Sequence, residues 1–395
     1  MMRRMLYRLS LALFGLQAGF HGFTAPLPLV LARAGVPDAE IGLIVGLAAV
    51  IQVPAAFVGG ALVDRFGGLR MLGVGGVAYL LGAAIILAAG GDPGELGAFV
   101  LARISQGIGI AITLPAALSL VPRLVPPERR GFGLGFVGSA HTLTLVALPP
   151  LSLAVLGEGR TLVSVAILVV GFVVVGGALL FLAPLRFDEP AEGAPAAEER
   201  RFRFTFQRSW ALPLVIILLY VAHWGVVTAY LPQRAEFAGA DVGFFFAADG
   251  LALLAFRIPS GWLADRYQPR WLVIIGLAVT AVAIGLLVLP PTTPILVAAG
   301  LLTGGGAGVV VTPLLLELSR RSTEADRGSA FAMMSAALAG ALVLGSVGVS
   351  PIIGTAGFEA TIVASIGGLV AASLLALVDP LLRRRGPAQV PPVAV

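Results

Sequence analysis

Long apolar segments separated by short polar ones dominate the pattern along this chain. Most of them hold about 19–26 residues, enough for an α-helix to cross a hydrocarbon core of ~30 Å. They are apolar on every face, whereas strands of a membrane barrel would alternate apolar and polar positions. Because lipid satisfies no backbone hydrogen bond, the pattern predicts membrane-spanning helices. Twelve spans are predicted, over residues 8–31, 40–63, 71–90, 96–121, 132–156, 161–183, 210–233, 241–263, 271–289, 294–316, 329–353 and 357–379.

The composition agrees with a chain whose solvent is the bilayer. Its residues are 58% hydrophobic and 12% charged, about half of the ~25% charged residues of soluble domains. Cys is absent, which excludes disulfides, thiolate nucleophiles and zinc–thiolate sites. No soluble domain, metal motif or nucleophile motif stands out. We therefore expect a monomer in the lipid bilayer that is not an enzyme, has no cofactor or metal, and binds no nucleic acid.

The basic residues lie at the ends of the predicted spans. With the N-terminus inside, the segments on that side carry twenty-one Arg and the outer segments carry three, Arg33, Arg160 and Arg234. This positive-inside bias predicts that both termini are cytoplasmic. The run after MMRRMLYR lacks a convincing cleavage site, so we expect it to remain as the first span of a multi-pass protein of the inner (cytoplasmic) membrane.

Short motifs recur in the same order in both halves of the chain. FTAPLP in the first predicted span resembles VTAYLP in the seventh, and Asp64-Arg65 recurs as Asp265-Arg266, 201 positions later. A polar stretch rich in Pro, Ala and Glu separates the halves and is typical of a linker. Two parallel repeats explain this arrangement. The predicted domains are a six-helix bundle over 1–186, a cytoplasmic linker over 187–209, a second bundle over 210–382 and a tail over 383–395.

The repeated charged loop resembles a signature of the major facilitator superfamily, roughly G-x-L-A-D-R-x-G-R-[RK]. LARISQGIGIA in the fourth span, with Arg103 before Q-G-x-G, resembles a second signature. The resemblance implies an all-α polytopic membrane protein with twelve transmembrane helices in two pseudo-symmetric six-helix bundles. It also implies secondary transport by alternating access, in which the loop signatures latch the cytoplasmic side. The candidate gating residues are Gly60, Asp64, Arg65, Arg70, Gly261, Asp265, Arg266 and Arg270.

The few ionisable side chains within the spans are the candidates for function, because an intramembrane charge costs about 2.5–3.5 kcal/mol on insertion scales. The resemblance implies that the three histidines, His21, His141 and His223, can face a central cavity, with His21 and His223 opposite each other. An imidazole titrates near neutral pH and so suits binding of substrate or protons. The alternatives are a neutral His that donates to a neighbouring carbonyl, or a three-His metal site, which we expect least.

Five further polar residues complete the candidates, and one of them is Gln17, a turn before His21 in span one. Arg103, near Gln17 and His21 in span one, could bind an anionic substrate group, act electrostatically on His21, or donate to carbonyls of span one. Asp249 could carry a proton or be hydrated and structural near the outer mouth. We expect Arg257 to pair with groups on the cytoplasmic side. Glu317, next to Arg320 and Arg321, is expected to form a gate or a surface pair.

These features favour proton-coupled export of a small apolar or amphipathic organic solute. The apolar residues expected at the cavity are Phe20, Phe23, Trp224, Tyr230, Phe244, Phe245 and Phe246. The alternative is uptake of a small organic anion on Arg103 and the histidines, by proton symport or uniport. Span five, GFVGSAHTLTLVALPPLSL, lacks the glycine-rich motif of the family's antiporters, which counts against proton antiport. A lipid-modifying membrane enzyme and a non-transporting sensor are the alternatives of another class.

Overall fold

The computed structural model describes residues 2–92, 94–125, 130–157, 161–181, 206–322 and 327–379, and within these ranges every regular element is helical. The helices are α1 (Met2–His21), α2 (Pro26–Arg33), α3 (Asp38–Phe66), α4 (Gly68–Ala88), α5 (Leu96–Leu124), α6 (Arg130–Leu156), α7 (Leu162–Phe181), α8 (Arg208–Phe237), α9 (Gly243–Arg266), α10 (Pro269–Leu286), α11 (Thr293–Arg321), α12 (Arg327–Val343) and α13 (Ser350–Val378). A π-helical turn, Leu344–Gly348, joins α12 to α13.

These helices correspond to the twelve predicted spans, and the all-α fold is confirmed. Helices α1 and α2 share the first span. The eleventh runs through α12, the π-helical turn and the start of α13, and ends at Gly357, whose φ of 80° breaks the helix. Nine of the described helices are long and apolar enough to cross a membrane. Most of the predicted linker over 187–209, the tail over 383–395 and Arg160 lie outside the described residues.

Chain direction alternates along the bundle, which defines two faces. The signature face holds the ends of α3, α5, α9 and α11 and therefore the two Asp-Arg turns. The distal face holds the turns 34–37, 89–95, 238–242 and 287–292, together with the break at Gly357. Helix bounds at the signature face exceed the predicted apolar segments, because polar residues such as Arg123 and Arg321 continue the helices beyond the apolar part.

Contacts between the halves concentrate at the distal face. Arg33 at the end of α2 pairs with Glu236 of α8 at 2.6 Å. Gln233 Nε2 donates to Asp38 Oδ1 over 3.3 Å. Gly46 of α3 packs against the π-helical turn, where a Cβ would lie 2.5 Å from Val347 Cγ2. Of the described ion pairs, Arg33–Glu236 is the one that joins the two halves, and the others lie within the C-terminal half. The structure is therefore closed at the distal face.

At the signature face, a buried ion network ties the C-terminal half together. Arg321 of α11 pairs with Glu317 at 3.0 Å and with Asp379 at 2.8 Å, and its Nη1 donates to the carbonyl of Ser209 over 2.8 Å. The Arg321 and Asp379 side chains are almost fully buried. Glu317 is buried, so it is not a surface pair. A role for Glu317 as a gate stays a prediction.

Candidate functional site

A helix break positions the first part of the site. Helix α1 ends at His21, and α2 begins at Pro26 after a short turn. Gly22 and the prolines Pro26 and Pro28 explain the break, since Pro has no N–H to continue the helical ladder. Discontinuous helices are a common way to place polar groups at mid-membrane. The His21 side chain is buried, and its Nε2 has no hydrogen-bond partner among the described residues.

Gln17, one turn before His21, organises the neighbouring side chains. Its Nε2 donates to Thr113 Oγ1 over 3.3 Å, and Tyr79 Oη lies 3.3 Å from the same hydroxyl. Its Oε1 is hydrogen-bonded to His141 Nδ1 from α6. Because an amide oxygen only accepts, His141 carries a proton on Nδ1. A neutral His141 therefore presents Nε2 as an acceptor.

The two histidines of the N-terminal half meet. The ring centroids of His21 and His141 are 5.3 Å apart, and Phe20 packs edge-on against His21 at 5.1 Å. Arg103 also interacts electrostatically with His21. The sequence analysis placed His21 opposite His223. In the structure His223 lies against Tyr220, 5.0 Å between ring centroids, and its Nδ1 donates to the Tyr220 carbonyl.

Arg103 of α5 is buried, with 4% of its surface exposed. Its Nη1 donates to Gln106 Oε1 over 2.8 Å, and its Nη2 donates to the Val45 carbonyl over 2.5 Å. The guanidinium also lies 4.9 Å from the Phe20 ring centroid. The carbonyl belongs to α3, not to span one as one of the alternatives had it. Within the described residues no carboxylate pairs with Arg103, so dipoles and a ring alone balance its charge.

Arg257 reaches the same region from the C-terminal half. Its Nη1 donates over 2.5 Å to Thr142 Oγ1 of α6, the residue after His141, and it interacts electrostatically with His141. Among the described residues Arg257 has no carboxylate partner either. It was expected to pair with groups on the cytoplasmic side. Its partner is instead a hydroxyl across the seam between the halves, so Arg257 joins the site.

We call His21, Arg103, His141 and Arg257 the cationic cluster. It brings together basic side chains from α1, α5, α6 and α9, with Gln17 as their connecting amide. No group of three His, Asp or Glu side chains in the described ranges is arranged to hold a metal ion. The arrangement can accept a negatively charged group between Arg103 on one half and Arg257 on the other.

Asp249 and His223 lie apart from the cationic cluster. Asp249 of α9 is 4% exposed, and in the part of the chain that the structure describes its Oδ1 has no hydrogen-bond partner. It interacts electrostatically with Tyr220, whose hydroxyl also interacts with Thr280. Helix α11 packs so closely here that a Cβ on Gly304 would overlap the Asp249 carbonyl. This second polar region lies within the C-terminal bundle.

Comparison with known families identifies the kind of protein that carries these sites. The sequence model of the Major Facilitator Superfamily matches residues 9–241 and 235–394. The chain belongs to the major facilitator superfamily. The resemblance of its loop and span-four motifs is thereby confirmed, and it is a secondary transporter and an integral multi-pass membrane protein.

Relatives within the superfamily differ in what their names say they carry. A probable nitrate/nitrite transporter of Mycobacterium tuberculosis is 27% identical over 76% of this chain and 76% of its own. A probable sulfoacetate transporter of Cupriavidus necator is 24% identical over 62% of this chain and 60% of its own. A lincomycin resistance protein of Streptomyces lincolnensis is 29% identical over 81% of this chain and 79% of its own.

The superfamily's loop signatures are described in part. The Arg65 and Arg70 side chains are exposed, and Arg65 lies over its neighbour Phe66 at 5.3 Å. Arg270 lies over Trp271 at 4.9 Å, and Gly60 has open space around its Cα. The side chains of Asp64, Asp265 and Arg266, and the surroundings of Gly261, lie outside the described part. The latch at the signature face stays a prediction.

Proposed function

We propose that this secondary transporter carries a small anion through the cationic cluster by alternating access. The observation that carries the proposal is the pair Arg103 and Arg257, which approach one region from opposite halves without a carboxylate partner among the described residues. A charge held in a low-dielectric interior without a counter-charge costs several kcal/mol. An anionic substrate supplies that counter-charge, and it joins the two halves when it binds.

The chemistry of the cluster suits an oxyanion. A guanidinium offers several N–H groups in a fixed plane and matches carboxylate, nitrate or sulfonate oxygens in pairs. Arg103 still has an unpartnered Nε, and His21 an unpartnered Nε2. His141, oriented by Gln17, can add a donor when it is doubly protonated. The names of the nitrate/nitrite and sulfoacetate relatives, both for small anions, support the same substrate class.

An apolar solute was the first expectation from the sequence, on the strength of the aromatic side chains. Several of these aromatic rings pack against one another, which explains their presence without an apolar substrate. Phe245 and Phe246 are buried and lie 5.5 Å apart, with Trp224 against both at 6.4 and 6.0 Å, and Phe244 is half exposed. Export of an amphipathic organic solute remains the second candidate, and the lincomycin resistance relative favours it.

Coupling to protons belongs to the same proposal. Moving one negative charge into a cell against a negative-inside potential costs about 2.3 kcal/mol per 100 mV. Uptake of an anion therefore needs a cotransported cation, and we assign a proton to Asp249. With the positive-inside orientation, the signature face is cytoplasmic and the distal face outside, so this structure is closed to the outside.

Counterflow in proteoliposomes tests the substrate class. We expect saturable flux of nitrate or sulfoacetate and none of lincomycin. Arg103→Gln and Arg257→Gln should each lower anion flux about 30-fold or more, because loss of one partner from a buried charge contact costs 2–5 kcal/mol. Arg208→Gln, at an exposed position beginning α8, is the matched control and should keep wild-type flux.

Two outcomes would contradict the proposal. Flux of lincomycin without flux of either anion would favour export of an amphipathic organic solute. Anion flux that survives both Arg substitutions would remove the cationic cluster from the transport path. Measurable turnover of a lipid by folded protein that moves none of the solutes would favour a membrane enzyme instead.

A further inference from the structure

A cavity of about 480 Å³ opens at the distal face, away from the cationic cluster. It lies on the seam between the halves, with one wall residue, Asp38, from the N-terminal half. The other walls come from the end of α8, the turn between α10 and α11, and α13, and include Gln233, Arg234, Phe237, Pro290, Pro291 and Phe358. Its size is in the usual range for small-molecule sites.

Asp38 is the acidic side chain of this cavity. It is exposed, and its Oδ1 accepts a hydrogen bond from Gln233 Nε2 over 3.3 Å. Asp38 forms no ion pair with any described residue, so the cavity holds a carboxylate without a positively charged donor.

The one basic residue in the wall is already neutralised. Arg234 pairs with Glu359 at 2.9 Å, its Nη2 donates to the Val288 carbonyl over 3.1 Å, and its guanidinium lies 4.7 Å from the Phe358 ring centroid. With this pair neutral, Asp38 leaves the cavity one net negative charge. The Phe237, Pro290 and Pro291 walls are apolar, and Pro has no N–H to donate.

We propose that this cavity binds a small organic ammonium ion with an apolar body. The ammonium donates to the Asp38 carboxylate, and the apolar body packs on the Pro and Phe side chains. Aromatic faces beside a cation add to the attraction. The site is independent of the anion proposal, because it shares no residue with the cationic cluster.

Binding at this cavity favours one conformation of the transporter. Asp38 completes the wall only while α3 packs against α8, as it does when the distal face is closed. A ligand that contacts both halves here binds the distal-closed state better and shifts the population towards it. An organic ammonium ion outside the cell therefore acts as an inhibitor at a place separate from the substrate.

Calorimetric titration of 2-phenylethylammonium into the full chain in nanodiscs tests the site. We expect saturable binding, weakened about threefold to fivefold by Asp38→Asn, since an exposed ion pair contributes up to ~1 kcal/mol. Glu40→Gln, which removes an exposed acid of the same helix outside the cavity, should not change the affinity. 2-Phenylethanol, a neutral analogue of similar shape, should bind more weakly by a similar factor.

Two further variants test the proposal even if Asp38→Asn fails to fold. Pro290→Trp fills the cavity from an exposed turn and should abolish saturable binding. Gly46→Leu, which does not line the cavity but should separate α3 from the C-terminal half, should weaken binding as well. Equal affinity for the alcohol and the ammonium, or binding that survives Pro290→Trp, would overturn the proposal. Unchanged binding to Gly46→Leu would overturn the preference for the distal-closed state.

Discussion

The neighbours of a buried arginine indicate whether it has a structural role or can bind a ligand, and two arginines of this molecule show the difference. Arg321 has two buried carboxylate partners and a carbonyl, all within one half. Arg103 has a carbonyl, an amide oxygen and a ring, and within the described residues no acid. The first arrangement is complete without a ligand. The second leaves a positive charge that an anion can neutralise, which is why we place the substrate there.

The coupling proposal depends on Asp249, a buried acid that has no basic partner among the described residues. Asp249→Asn keeps the size of the side chain but cannot bind and release a proton as a carboxylate does. We expect nitrate flux driven uphill by a pH gradient to be lost, while downhill counterflow continues, because the cationic cluster is intact. Flux in proteoliposomes with and without a pH gradient measures both.

The control for this prediction lies just before the same helix. Asp241, just before α9, is exposed and accepts a hydrogen bond from the Gly243 N–H over 2.7 Å, a contact that Asn can also make. Asp241→Asn should leave both fluxes unchanged. Uphill flux that persists in Asp249→Asn would take Asp249 out of the mechanism.

Residue identity could be predicted from the sequence more readily than residue neighbours. Polar side chains within apolar segments are easy to recognise in the sequence, so Gln17, His21, Arg103 and His141 are all candidates. Arg257 was misplaced because its sequence neighbours are the loop signature. Its actual partner, Thr142, is 115 positions away. Such contacts depend on how each helix is rotated about its own axis. A segment that is apolar on every face gives no sequence signal from which this rotation could be predicted.

At the scale of elements, the two helix irregularities differ in how well the sequence predicts them. The break between α1 and α2 is marked by Gly22, Pro26 and Pro28. The π-helical turn in LGSVG also holds two glycines, and Pro351 follows it. Gly and Pro occur inside unbroken helices of this chain too, such as α3 and α6, so the sequence predicts one continuous helix there. The turn depends on tertiary contacts: Tyr230 Oη donates to the Ser346 carbonyl over 2.6 Å, and Gly345 lies against the backbone of α8 at Ala222. π-Helical turns are frequent at functional sites.

The packing of α3 against this turn gives a prediction about distal closure. Gly46 touches Ser346 and Val347 across the seam, so the side chain of Gly46→Leu would hold the halves apart at the distal face. The reporter is Ser350→Cys, a buried position beside the turn in a chain without Cys. We expect its labelling by a membrane-impermeant maleimide to be several times faster in Gly46→Leu.

Gly171→Leu provides the comparison for this experiment. No atom lies within 4 Å of the place where a Cβ on Gly171 would be, so the substitution adds bulk without a clash. Labelling at Ser350→Cys should then keep its original rate. Equal rates in Gly46→Leu and Gly171→Leu would mean that α3 does not control closure of the distal face.

At the scale of the whole molecule, the repeat is visible in the sequence, but equivalent residues of the two halves make different contacts. Arg33 and Arg234 end the first span of each half, 201 positions apart. Arg33 pairs across the seam with Glu236, whereas Arg234 pairs with Glu359 inside its own half. Twelve helices and two halves follow from apolar segments and repeated motifs. The conformational state does not, because it depends on which of two similar interfaces is closed.

This asymmetry allows a test of alternating access with an internal control. In Arg33→Cys/Glu236→Cys, a short, reducible methanethiosulfonate cross-linker would join the halves at the distal face. A reagent is needed because Cys side chains at an Arg–Glu spacing are too far apart for a direct disulfide. We expect nitrate counterflow to fall to background after cross-linking and to recover on reduction, because a locked distal face cannot open. Arg234→Cys/Glu359→Cys, cross-linked within one half at the same face, should keep most of its flux. If both cross-linked pairs transport equally well, the halves do not separate at the distal face during transport.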